Sequence, residues 1–358
     1  MYERELEALK RAGRFRQRRI FDKSLKDFAS NDYLGLAHNP DILKRAYQRV
    51  KSYGVNSAKA SQLINGYTEV HKEFEDKLKS LNRFEDAITV GSGFLANMAL
   101  IEALVRRGDT LFIDEEFHAS GNLAAKLIEG GVVRFKHNSA EDLRKKLSGG
   151  GYKRPIIAVE GIYSMSGDLL NRDIFGVAEE FGALLIVDEA HSSGVVGEEM
   201  LGVFDLFGIH PAQNHIKMGT LGKAYGSYGA YILASKEIVS FLENRAKSII
   251  YTTAPSLMDV ALAHEGIELI ERKRSYFKEE IEKRRSLANR FGIDMSGLII
   301  DVELKGVLKV QEELLKKGFL VGAIRPPTVK RELIRVIARV GESLESLEEL
   351  LECLSVKS

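Results

Sequence analysis

The chain has no tryptophan, a single cysteine and only six prolines among its 358 residues. One cysteine, Cys353, excludes an intrachain disulfide and any cysteine-built metal cluster, and its place in the last apolar stretch reads as a buried filler on a helix. An excess of either charge is missing as well. With 52 basic against 51 acidic residues the net charge is +1, so nothing drives the chain as a whole toward nucleic acid or an acidic partner. No apolar run reaches the length of a membrane span and no secretory leader is recognisable, so the expected location is cytoplasmic and no membrane partner is expected. A Walker phosphate loop is absent too. Lys223 forms the only Gly-Lys pair, and the pattern would need glycine at position 217 and a hydroxyl at 224, where Lys217 and Ala224 stand.

What is present is a globular composition, 44% hydrophobic and long enough for two or three compact units. The first residues cluster Arg14, Arg16, Arg18 and Arg19, but Glu3, Glu5 and Glu7 argue against a transit peptide, leaving a solvated amphipathic helix. From about residue 85 to 235, helix-period segments alternate with the apolar runs "DAITV", "TLFID", "VVRFKHN", "PIIAVEG", "ALLIVDEA", "HIKMGTLG" and "GAYILAS". Such runs predict a mainly parallel sheet covered by helices on both faces, an α/β fold whose ligand sits outside the carboxyl ends of the strands. Beyond Pro255 the pattern predicts a long charged helical stretch to about Phe291. Strand "LIIDVEL", helix "VQEELLKKG", strands "FLVGAI" and "LIRVIARV" and a last helix follow, together a smaller α+β unit. The expected division is an N-terminal helix and loop (1–40), a large ligand-binding domain (41–255) and a small C-terminal domain (256–358).

The residues with chemistry stand at those strand ends. Gly91-x-Gly93-x-x-Ala96 nearly matches a dinucleotide fingerprint. Gly93 and Phe94 would offer backbone donors to a phosphate at a helix N-terminus, or the motif is a tight strand-to-helix turn with no ligand. Asp188-Glu189-Ala190-His191 imitates a helicase magnesium motif but lacks the Walker partner, and two ligands without a His-rich or Cys-rich cluster predict no metal site. A carboxylate buried at a strand end can instead hold a cationic ring nitrogen. His118 at a turn and Ser164 beside glycine suit ordinary structural roles as well as functional ones. Their order is more telling: phosphate turn, histidine, serine, aspartate, histidine and the glycine-flanked Lys223 of "GTLGKAYGSYGA" lie at successive strand ends of one sheet.

Taken together, "SNDYLGLAHNP", "NGYTEVHKEFE", "GSGFLAN", "DEEFHAS", "EGIYSMSGD", "VDEAHSSGVVGE", "GTLGKAYGSYGA", "IYTTAPS" and "AIRPPTV" resemble the α-oxoamine synthase group of fold-type I pyridoxal-phosphate enzymes over nearly the whole chain. The resemblance implies a mainly parallel seven-stranded large domain and a smaller α+β domain. It implies pyridoxal 5'-phosphate held covalently by Lys223, with Asp188 at the pyridine nitrogen, His118 on the ring face, and His191 and Ser164 at the phenolic oxygen. Gly93, Phe94 and Thr220 would bind the phosphate, joined by Thr252 or Thr253 from the second subunit of a homodimer. The implied reaction is decarboxylative condensation of an amino acid with an acyl-CoA. "AIRPPTV" resembles the oxononanoate synthases more than the glycine C-acetyltransferases, implying L-alanine and pimeloyl-CoA. The group's "RLR" carboxylate-binding strand is represented by "IRVIARV". Arg335 matches its first arginine and Ile337 replaces the second. Arg339 would share a face with Ile337 under strand alternation, so Arg335 or Arg339 with Asn31 is expected at the amino-acid carboxylate. The basic segment around Arg16 is expected to meet the acyl-CoA. A glycine C-acetyltransferase is the nearest alternative; a non-catalytic dinucleotide-binding protein would keep "GSGFLA" but has no use for Lys223.

Overall fold

The protein, examined as a computed structural model, is described over residues 1–356. Its strands in chain order are β1 (Lys26–Asp27), β2 (Asp86–Val90), β3 (Thr110–Asp114), β4 (Gly131–Phe135), β5 (Pro155–Glu160), β6 (Leu184–Asp188), β7 (His215–Thr220), β8 (Ala230–Ala234), β9 (Ile299–Glu303), β10 (Phe319–Leu320), β11 (Gly322–Ile324) and β12 (Leu333–Ile337). All seven apolar runs of the first two-thirds become strands of one sheet, ordered β2-β8-β7-β6-β5-β3-β4. It is parallel except for β8, which runs antiparallel to both β2 and β7. Strands β5 and β8 are buried at every residue, as a sheet covered on both faces requires, whereas the edge strand β4 exposes Gly131, Val132 and Arg134.

Strand alternation divides the core into two layers. Ile156, Ala158, Ile186, Ile216, Met218 and Ile232 pack with helix Gly93–Leu104, while Ile157, Val159, Leu185, Val187 and Leu233 face the opposite layer. Residue Asp188 therefore follows Ile186 onto the face of helix Gly93–Leu104, and Glu160 follows Ala158 there. The sheet's parallel strands deliver their carboxyl ends to one rim.

The C-terminal region departs from the pattern in three places. The charged stretch forms two helices, Leu257–Arg272 and Arg274–Arg290, interrupted at Lys273 with φ −111°. "FLVGAI" serves two sheets: β10 pairs in parallel with β1, while β11 pairs antiparallel with β12, itself paired to β9. Strand β12 stops at Ile337, because the Arg339 N–H turns back to the Ile337 carbonyl at 2.7 Å. The segment after β1 lies against that end, with Ile337 N–H donating to the Phe28 carbonyl and Val340 N–H to the Tyr33 carbonyl, both at 2.8 Å. Cys353 is half-buried on helix Leu344–Ser355, with Lys317 Nζ 3.3 Å from its sulfur. The first helix, Glu3–Arg11, buries none of its residues.

Candidate active site

Asp188 and Glu160 end neighbouring parallel strands in register, so their side chains stand side by side on one sheet face. Asp188 is 4% exposed. Its Oδ2 accepts a hydrogen bond from Asn97 Nδ2 at 2.8 Å and its Oδ1 from the Ala190 N–H at 3.0 Å. Both donors are uncharged, so they orient the carboxylate and leave its charge for something placed against it. Asn97 comes from helix Gly93–Leu104 and also reaches Ser120 Oγ at 2.9 Å, which lies 2.7 Å from His118 Nδ1. One polar chain thus runs from the strand-end acid to the His118 ring.

Lys223 lies in the loop between β7 and β8, half-buried, with Nζ 2.7 Å from His191 Nε2. The other ring nitrogen of His191 is 2.5 Å from the Tyr33 hydroxyl. Loss of solvation brings the Lys223 ammonium down to about 8, against the opposing pull of Asp188 and with help from Arg335. Burial also holds His191 well below its usual value, reinforced by the positive charges of Lys223 and Arg335, and pushes Tyr33 up to about 12. His191 is therefore a neutral imidazole with one donor and one acceptor. When Lys223 is an ammonium it donates to Nε2, and Nδ1–H donates to Tyr33. A lysine that trades its proton near neutral pH, beside a buried neutral histidine, is suited to carbonyl chemistry.

The glycines around Lys223 serve the loop's own packing. A Cβ on Gly219 would stand 2.3 Å from the Tyr231 ring, and Gly226 takes φ +63° with Leu36 2.7 Å from its absent Cβ. Close approach of a ligand remains available at Gly222, where nothing lies nearer than 3.4 Å. Thr220 Oγ1 donates to the Gly229 carbonyl at 3.0 Å and accepts from the Gly222 N–H at 3.3 Å. Across the sheet rim, Ser92 caps helix Gly93–Leu104 by accepting from the Leu95 N–H, which leaves the Gly93 and Phe94 N–H groups at the helix entrance for an anion.

Arg335 reaches the same rim from β12. It is 7% exposed; its Nε donates to the Ser164 carbonyl at 2.7 Å and its Nη1 to Asn31 Oδ1 at 3.1 Å, while Nη2 is buried without a partner. Arg339 is committed elsewhere. Its Nη1 pairs with Asp27 at 2.8 Å, its Nη2 with Asp32 at 2.6 Å, and its Nε donates to the Asp32 carbonyl. The sharing of a face between Arg339 and Ile337 does not arise, because the turn at residues 337–339 ends the alternation, and Ile337 is fully buried in the core. Arg335 with Asn31 is the pair that the geometry offers to a substrate carboxylate.

Other expected positions fall outside this cluster. Arg16 is exposed in the stretch after the first helix. Thr252 and Thr253 follow helix Lys247–Ile250 at the surface, and among the described residues no hydrogen bond links either to Lys223, Asp188 or Thr220. Glu189, next to Asp188, turns to the opposite side and accepts from the Val203 and Phe204 N–H groups, so the acidic pair is split between a site and a helix cap. No cluster of three metal-binding side chains occurs among the described residues. Tyr33, Asn97, Ser120 and Glu160 belong to the site but were not singled out from sequence. The available signal was polarity out of place: Asn97 in the otherwise apolar "FLANMALI", and Glu160 closing the apolar run "PIIAV".

Pyridoxal phosphate fits this donor set: a lysine of lowered basicity, a buried carboxylate met only by neutral donors, free N–H groups at a helix entrance and an orphaned guanidinium nitrogen. A model of the aminotransferase class I and II family matches residues 23–354. An 8-amino-7-oxononanoate synthase of Helicobacter pylori is 43% identical over 99% of this chain and 96% of its own length. The crystal structure of 8-amino-7-oxononanoate synthase from Francisella tularensis superposes with a TM-score of 0.77 at 26% identity, covering 94% of this chain and 98% of that one. Serine palmitoyltransferase of Sphingomonas wittichii superposes with a TM-score of 0.87 at 27% identity, covering 99% and 96%. Among the described residues no helix is long and apolar enough to cross a membrane. The chain belongs to the aminotransferase class I and II family, with the type I pyridoxal-phosphate transferase fold, and within it to the family of 8-amino-7-oxononanoate synthases.

Proposed function

We propose that this enzyme condenses L-alanine with pimeloyl-CoA, releasing CoA and carbon dioxide and forming 8-amino-7-oxononanoate for biotin synthesis. Its cofactor is pyridoxal phosphate. The observation that carries the reading is the placement of Lys223 Nζ at 2.7 Å from His191, with Asp188 on the same rim, in a chain similar to these synthases over its full length.

Bound there, pyridoxal phosphate supplies an electron sink for the substrate's α-carbon. Lys223 would anchor it and, with its basicity lowered to about 8, would exchange the α-proton at Nζ in its amine form. Asp188 keeps the ring nitrogen protonated, because its carboxylate is oriented by Asn97 and Ala190 and otherwise unpaired. His118 would cover the ring face, and His191 and Ser164 would address the phenolic oxygen. Gly93, Phe94 and Thr220 would hold the phosphate. Arg335 Nη2, with Asn31 steadying its neighbour Nη1, binds the alanine carboxylate by a charge-assisted hydrogen bond.

The reading includes a cytoplasmic homodimer in which Thr252 or Thr253 of one subunit completes the phosphate site of the other. Its support is that two exposed side chains, Tyr251 at 81% and Ile64 at 79%, stand on adjoining segments beside these threonines and together form an apolar patch. The division into residues 1–40, 41–255 and 256–358 belongs to the same reading, as does contact between the basic segment at Arg16 and the anionic acyl-CoA. The test is CoA release across a panel crossing alanine, glycine and serine with pimeloyl-, acetyl- and palmitoyl-CoA. Alanine with pimeloyl-CoA is expected to give the highest kcat/KM; preference for glycine with acetyl-CoA, or serine with palmitoyl-CoA, refutes the substrate assignment.

A further inference from the structure

Glu160 is an anomaly within the site. It is 1% exposed and lies beside Asp188 across the β5–β6 pairing, and one of its oxygens, Oε1, is buried with no hydrogen-bond partner. Its Oε2 accepts from the Ser164 N–H at 3.1 Å. Ser164 in turn accepts from Arg335 Nε through its carbonyl at 2.7 Å. The two faces of one peptide residue therefore connect Glu160 to the guanidinium whose Nη2 stands free.

We infer that Glu160 is an uncharged carboxylic acid that acts as a positioning residue, fixing Ser164 and through its carbonyl the aim of Arg335 toward the amino-acid carboxylate. The inference rests on the reading of Arg335 given above. Two carboxylates adjacent on one sheet face cannot both ionise cheaply, and the two differ in their support. Asp188 has a donor on each oxygen, whereas Glu160 Oε1 accepts no well-formed hydrogen bond, so a charge is held less well on Glu160 and protonation lowers that cost. The charged and titratable groups around it are Asp188 on β6, Lys223 and His118 on their loops, Arg335 on β12, and the Tyr33 and Tyr163 hydroxyls. Burial, followed by the negative charge of Asp188, raises the Glu160 carboxyl well above the usual range, and Lys223 with the His118 and Ser164 N–H groups only partly opposes this. The far end of the loop is tied independently: His137 bridges Asp114 and Asp168 at 3.1 Å each. Glu160 thus governs the near end, at Ser164, without being needed to hold the whole loop.

The experiment compares Glu160→Gln, Glu160→Ala and Arg335→Ala in the cofactor-loaded enzyme. L-alanine binding is titrated by the change in cofactor absorbance without acyl-CoA, and cofactor retention is measured alongside. Glu160→Gln, neutral and of the same shape, is expected to bind alanine within about threefold of wild type, while Glu160→Ala weakens it about tenfold or more with cofactor retained. A difference infrared spectrum of the cofactor-free proteins, wild type minus Glu160→Gln, is expected to show the carbonyl stretch of a protonated carboxylic acid at pH 7. Glutamine behaving as badly as alanine, or a carboxylate band in place of the acid band, overturns the neutral state. Undiminished alanine binding in Glu160→Ala while Arg335→Ala is impaired overturns the positioning role. If Arg335→Ala itself binds alanine normally, the carboxylate reading fails, and the infrared result still decides the state of Glu160.

Discussion

Removing the side chains of Arg335 and Arg339, one at a time, separates the proposed substrate contact from a structural one on the other side of the turn that ends β12. Arg339 is 3% exposed, and its pairing with Asp27 and Asp32 fastens the segment after β1 to the end of β12. Truncation would leave the Asp32 side chain, 11% exposed, without its cation, and breaking a buried pair in this way costs about 3–5 kcal/mol. The partly exposed Asp27 places Arg339→Ala toward the lower end of that range. Arg335→Ala leaves only neutral acceptors behind, the Ser164 carbonyl and Asn31, so its effect on stability is expected to be the smaller. Its cost falls on binding: loss of a charge-assisted contact to alanine's carboxylate removes roughly 1.5–3 kcal/mol, about ten- to a hundredfold in the alanine KM. Urea unfolding of both cofactor-loaded variants and alanine saturation at fixed pimeloyl-CoA provide the two readouts. If Arg339→Ala unfolds at the wild-type midpoint but raises the alanine KM, while Arg335→Ala does not, the division of labour argued from the hydrogen bonds is refuted.

Two further outcomes follow from the charges at the rim. Because burial brings Lys223 to about 8, covalent capture of pyridoxal phosphate by cofactor-free protein should accelerate as pH rises through about 8. A midpoint at the ordinary lysine value would contradict the desolvated setting, and hydride reduction should fix the cofactor to this residue and not in Lys223→Ala. Asp188→Asn should keep the fold and much of the cofactor yet lose turnover, since a neutral amide cannot stabilise a protonated ring nitrogen; full activity in that variant, or loss of wild-type activity to a chelator, would refute the assignment.

The strands were legible in local runs such as "PIIAVEG" and "ALLIVDEA", because a strand covered on both faces is mostly apolar, and in these two the first polar residue marks its end. Those ends also announced Asp188, His191 and Lys223, since a ligand in such a sheet sits beyond the carboxyl ends. What a single sequence could not reveal was which strand ends become neighbours. The pairing of β5 with β6 sets Glu160 beside Asp188, and the crossing of helix Gly93–Leu104 brings Asn97 between Asp188 and Ser120. The reach of Arg335 across 171 positions to Ser164 is likewise a product of packing. The face expected for Arg339 differs for a related reason. Period-two alternation holds only while the chain stays extended, and the turn from Ile337 to Arg339 sends that side chain to Asp27 and Asp32. Local periodicity, imposed by burial, determined the elements and which polar residues stand at their ends. Their charges, aims and partners were decided by contacts between segments far apart in the chain, because desolvation and hydrogen bonding depend on what surrounds a side chain in space.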